Sequence, residues 1–96
     1  MNKGDVVTVM TVSGEFVGKL AEQADRKIVL EDPRYVVHGE QGMGFANGVA
    51  LTGVQDPKTM TILEPVFICE TNEEIVDNWR RATSGIVAPT SKIIGG

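Results

Sequence analysis

Residues 4–32, "GDVVTVMTVSGEFVGKLAEQADRKIVLED", decide the fold. They read as three short antiparallel strands joined by two tight connections. In the first, residues 5–12, Val7 and Val9 line one face and Val6, Met10 and Val12 the other. Ser13-Gly14 forms a two-residue turn, where glycine supplies the positive φ that hairpins require. In the second strand, residues 15–21, Phe16, Gly18 and Leu20 point one way and Glu15, Val17 and Lys19 the other. A polar loop, residues 22–27, leads to a third strand over residues 27–31, with Ile28 and Leu30 on one side. A glycine inside a strand costs stability, so Gly18 marks a sharp bend in a small, highly curved sheet. Bending of that kind lets a five-stranded sheet roll into a barrel.

The order of these features carries a family resemblance. An apolar strand, Gly14, a second apolar run through Gly18-Lys19-Leu20, a polar loop, Ile28-Val29-Leu30 and the acidic pair Glu31-Asp32 resemble the first motif of Sm-like (LSm) proteins. That family includes the eukaryotic Sm proteins and the bacterial Sm-like RNA chaperone, and the match covers about a third of the chain. It implies a strongly bent five-stranded antiparallel barrel, a closed homo-oligomeric ring of roughly five to seven subunits, and single-stranded RNA as ligand.

The sequence also departs from the family pattern. The intervals from Gly14 to Gly18 and from Gly18 to Ile28 are each one residue shorter than usual. The family's RNA-contacting loop has an Asp and, four residues later, an Asn before the third strand. Lys27 stands at the Asn position, and Gln23 or Ala24 at the Asp position, depending on the direction of counting; Asp25 matches neither. The second family motif is an apolar strand, an Arg-Gly pair and a final strand. Thr52-Gly53 resembles that pair with the arginine missing. The candidate RNA-binding residues are therefore Gln23, Asp25, Arg26, Lys27, Thr52 and Gly53, with Arg26 and Lys27 on phosphates and Gln23 on a base edge.

The remaining chain supplies the other elements. Asp32-Pro33 ends or bends the third strand, because proline has no ladder donor, and residues 34–38 continue as extended chain. "GEQGMGFANG", residues 39–48, holds four glycines. A phosphate cradle would need Gly-Lys-Ser/Thr to follow, which is absent, so the stretch reads as an inserted pliable connection. Residues 48–54 and 59–63 read as the fourth and fifth strands, and their free edges as the ring contacts. Residues 66–69 form a further apolar run. The spacing of Ile75, Val76, Trp79 and Ala82 predicts a helix over residues 72–83. Thr71 and Glu74 form its capping box, Asp77 and Arg81 an i,i+4 pair, and Gly85 its stop. The expected organisation is a barrel over residues 1–70, a helix over 71–85 packed on it, and a tail, 86–96, held by a neighbouring subunit.

Composition bounds the function. Ninety-six residues with 42% hydrophobic content make one small domain. Thirteen acidic against nine basic residues give a net charge of −4, which opposes non-specific nucleic-acid binding while leaving room for a local basic site. No apolar run approaches the roughly 18 residues of a membrane span, and "MNKGDVV" lacks a signal core, so the expected location is the cytoplasm. The lone Cys69 lies in "VFICE" and reads as a buried, inert thiol. His38 stands alone beside the glycine-rich stretch. Glu22, Asp25, Glu31 and Asp32 have no calcium-loop spacing and read as solvated charges. The expectation is a binding protein with no catalytic residues, metal or cofactor. An oligomeric scaffold that keeps the ring without the uridine site is the other reading.

Overall fold

The structure is a computed structural model that describes residues 1–84. The expected stop at Gly85 and the tail over 86–96 lie outside the described residues. The chain is mainly β: one six-stranded antiparallel sheet followed by a single helix. The strands are β1 (Val6–Thr11), β2 (Gly14–Ala24), β3 (Lys27–Gly39), β4 (Gly42–Phe45), β5 (Thr59–Leu63) and β6 (Phe67–Glu70), and the helix is α1 (Glu73–Thr83). The sheet order is β4-β3-β2-β1-β6, with β5 paired to the first half of β3. Five closed strands were expected. Among the described residues the sheet has six, and no pairing joins β5 to β6.

The alternating pattern of the first three strands sets two apolar layers. Val7, Val9, Phe16, Leu20, Ile28, Leu30 and Ile62 form the buried inner core, with Tyr35, Val49, Met60 and Ile68 against it. Val17, Phe45 and Trp79 form a second core on the outer face, joined by Val6, Val36, Ile75 and Ala82. At Gly18 strands β2 and β3 come unusually close. A Cβ there would sit 3.0 Å from the Leu30 Cβ and 3.1 Å from the Glu31 carbonyl oxygen, so β2 and β3 approach at a distance only glycine allows without displacement. Opposite Gly18, Asp32 and Pro33 face a single residue of β2, because Val17 pairs with Arg34 and Lys19 with Glu31. This is a bulge, with Asp32 in the left-handed region at φ 49°.

Several boundaries differ from the sequence reading. β3 does not stop at residue 31; the bulge accommodates Pro33, which needs no ladder donor there, and the strand runs on to Gly39. The glycine-rich connection is partly ordered as a hairpin, in which Gly39 pairs with Gly42 and Val36 with Phe45. Residues 48–54 are not a strand. The β3 edge they would need is occupied by β5, and they form a loop closed by a Gly48–Gln55 bridge. Cys69 is exposed rather than buried, since in β6 it is Ile68 that turns to the core.

Helix α1 begins one residue later than its expected box. Asn72 is the cap, and its Oδ1 accepts from the Ile75 N–H at 3.0 Å. The Thr71 hydroxyl instead bonds the buried Thr8 hydroxyl at 2.8 Å. Arg81 donates to Asn78 rather than pairing with Asp77. Glu73 and Glu74 in the first turn and Arg80 and Arg81 in the last complement the helix dipole. Helix α1 lies against the outer face of the sheet, with Val76 outside the contact. Ile75, Trp79 and Ala82 face the outer core, and Trp79 Nε1–H donates to the Asp32 carbonyl at 2.9 Å. The bulge thus frees a carbonyl that the helix uses.

Candidate functional site

The sequence candidates fall at two places along β3, its start and its central bulge. The β2–β3 hairpin pairs Ala24 with Lys27, leaving Asp25-Arg26 as a two-residue turn. Arg26 is left-handed at φ 60°, a conformation that costs roughly 1–2 kcal/mol for a residue with a Cβ. Lys27 pairs with Leu63 across β3 and β5, so the connection after Leu63 lies beside this turn. Glu64 in that connection is also left-handed, at φ 57°, and its N–H donates to the Arg26 carbonyl at 2.8 Å. The Arg26 guanidinium stands 3.6 Å from the Glu64 carboxylate.

Lys27 has its own partner. Its Nζ lies 2.9 Å from Glu22 Oε2, a diagonal contact across the hairpin. The hydrogen bond from Lys27, then its charge, and in smaller measure the charge of Lys3 hold the Glu22 carboxyl below the usual carboxylate range. Gln23 pairs with Ile28 and therefore leaves the opposite face of the hairpin from Lys27. Gln23, Asp25 and Arg26 are exposed and Lys27 is half-buried. The surface at this end is an alternation of charges: two cations, each against a carboxylate, with Asp25 at the tip.

Thr52 and Gly53 are exposed and belong elsewhere. They lie in the loop between β4 and β5, where the Gly53 N–H donates to the Ala50 carbonyl at 3.2 Å. The base of that loop is fastened to the bulge in the middle of β3. The Asp32 N–H donates to the Lys58 carbonyl at 2.8 Å, and buried Arg34 reaches Asp56 Oδ1 at 3.2 Å while donating to the Pro33 carbonyl at 2.9 Å. From Arg26 to Arg34 along β3 is on the order of 25 Å at about 3.3 Å per residue. The structure therefore brings Gln23, Asp25, Arg26 and Lys27 together and leaves Thr52-Gly53 in a separate loop fastened to the bulge.

The sequence reading missed Glu64 and the proximity of Lys3. With β5 at Thr59–Leu63, the turn before β6 is Glu64-Pro65. That Glu-Pro pair, between two apolar runs, was the signal available. An acid thus occupies the turn beside Arg26. Among the described residues no three His, Cys, Asp or Glu side chains stand together as a metal-holding group. No described helix is long and apolar enough to cross a membrane. No protein-family model and no curated protein matches the chain.

Proposed function

We propose that this chain is an Sm-like ring subunit that binds single-stranded RNA on the turn surface around Arg26. The observation that carries the reading is the strand order, which runs from β5 through β3, β2 and β1 to β6 and leaves, among the described residues, an unpaired edge at both ends. Exposed strand edges pair with other chains unless they are covered. Here the corner between them is apolar: Leu63 is 70% exposed, Val66 58% and Phe67 50%. Joining β5 of one copy to β6 of the next is a heterologous contact, which closes into a ring or grows into a filament. The ring edges are thus β5 and β6 rather than residues 48–54 and β5. In such a ring the Asp25-Arg26 and Glu64 turns of every subunit come together, and repetition of a weak phosphate contact gives avidity. The protein works in the cytoplasm as a binding module without a cofactor.

A scaffold ring without RNA is the second reading. It is favoured by the pairing of Arg26 and Lys27 with carboxylates and by the net charge of −4. Sedimentation equilibrium tests the ring, which predicts a closed oligomer at micromolar concentration; a monomer refutes it. Anisotropy titration with short oligo-uridine and oligo-adenosine at two salt concentrations separates the readings. Binding that weakens as salt rises supports the RNA site. An intact ring that binds neither oligonucleotide in low salt establishes the scaffold.

A further inference from the structure

We infer that Glu22 and Glu64 are autoinhibitory residues that hold the cations of the turn surface away from phosphate and set its affinity low. The inference rests on the RNA reading above and concerns the regulation of that site.

Three observations carry it. Each cation of the hairpin end has a carboxylate from a neighbouring segment: Lys27 against Glu22 at 2.9 Å, and Arg26 against Glu64 at 3.6 Å. The second pair is held by backbone as well as side chains, since the Glu64 N–H bonds the Arg26 carbonyl at 2.8 Å. Arg26 and Glu64 also both occupy the left-handed region, at φ 60° and 57°, where glycine or asparagine is the ordinary occupant. Strained positions of this kind concentrate at functional surfaces. Neither pair is required by the core. The Arg26 and Glu64 side chains are 74% and 69% exposed, and those of Lys27 and Glu22 are 39% and 54% exposed.

The consequence is a competition. A phosphate reaching this surface competes with a carboxylate for each guanidinium or ammonium it engages. Exposed ion pairs of this kind are individually weak, so the inhibition is graded and does not abolish binding. Releasing two such pairs corresponds to an affinity gain of about 2–30-fold per hairpin end.

The test uses the full chain and a fluorescent oligo-uridine in low salt, with four proteins: the parent, Glu22→Gln with Glu64→Gln, Arg26→Ala with Lys27→Ala, and the quadruple variant. Circular dichroism and sedimentation confirm that each keeps its fold and assembly state. The expected result is that the glutamine variant binds about 2–30-fold more tightly than the parent and that the quadruple variant loses the gain. A parent that binds while the glutamine variant binds equally or more weakly overturns the inference and leaves the RNA reading standing. A glutamine variant whose gain survives in the quadruple protein also overturns it, because the gain then comes from net charge and not from released cations. If neither the parent nor the glutamine variant binds, the RNA reading and this inference fall together.

Discussion

Replacing Trp79 by alanine tests how the helix is held to the sheet. Trp79 is 4% exposed and packs with Val17 and Phe45 in the outer core, and its indole N–H bonds the Asp32 carbonyl at 2.9 Å. Truncating a buried tryptophan to alanine costs about 3–5 kcal/mol from lost transfer energy and the cavity left behind. Leaving the Asp32 carbonyl without its donor adds roughly 1 kcal/mol. A chain of this length has a total stability of about 5–14 kcal/mol, so the loss is roughly a quarter of the total or more. The melting temperature should fall by at least about 12 °C. Trp79→Phe separates the parts: it keeps most of the ring and loses the donor, and should cost about 1–3 kcal/mol. Urea unfolding followed by far-ultraviolet circular dichroism at one fixed protein concentration is the assay, because the variants lack the only tryptophan. A Trp79→Ala protein within about 1 kcal/mol of the parent would refute the outer core as a source of stability. Equal losses for the two variants would show that the hydrogen bond, rather than the ring, holds the helix.

Gly18→Ala should destabilise by about 1–3 kcal/mol in the same urea assay, because the new methyl meets Leu30 and the Glu31 carbonyl opposite the bulge. Asp56→Ala removes the carboxylate from buried Arg34 and should cost about 1–3 kcal/mol, with protease cleavage of the loop between β4 and β5 as a second readout. The Glu22 carboxyl is held low in the folded chain, so its contribution is complete above the unfolded carboxylate value near 4.3 and disappears as pH falls through the lower folded value. A carboxyl NMR titration should place Glu22 below that reference in the parent and return it towards the reference in Lys27→Ala. Leu63→Glu with Phe67→Glu puts like charges at the exposed corner, and should reduce the sedimenting species to a monomer without loss of β-sheet signal.

The parts of the fold legible in the sequence are those where period-two alternation meets a buried face. Val7 and Val9, Phe16 and Leu20, and Ile28 and Leu30 all entered the inner core, and Gly18 marked the close approach of β2 and β3. Residues 48–54 alternate too, yet Leu51 is wholly exposed and Val54 is 70% exposed. Alternation alone does not supply a partner strand, and the available edge of β3 went to β5. Pro33 masked the continuation of β3 because a proline normally closes a strand, whereas here it sits in a bulge. Thr71 and Asn72 are both good caps, and the choice between them was made by Thr8, a tertiary partner invisible in local sequence. The candidate site was half legible. Arg26 and Lys27 were visible as hairpin cations, but their carboxylates come from residues whose neighbourhood depends on strand register.

Asp32 explains why stability and the turn surface are separable. This one residue, at φ 49°, gives its N–H to Lys58 and its carbonyl to Trp79, and so fastens both the β4–β5 loop and α1 to the middle of β3. Both tethers lie at the bulge, on the order of 20 Å along the strand from Arg26 at about 3.3 Å per residue. Between them the sheet is held by the paired ladders of β3 with β2 and β5, anchored by buried Ile28 and Leu30. A loosened helix therefore lowers the energy of unfolding without altering the Arg26–Glu64 geometry in molecules that remain folded. Trp79→Phe, assayed well below its melting temperature, should keep the parent's oligonucleotide affinity and its assembly state. A matching loss of affinity would mean that the bulge and the turn surface are coupled through β3, and the Arg26 turn would then be one end of a longer site.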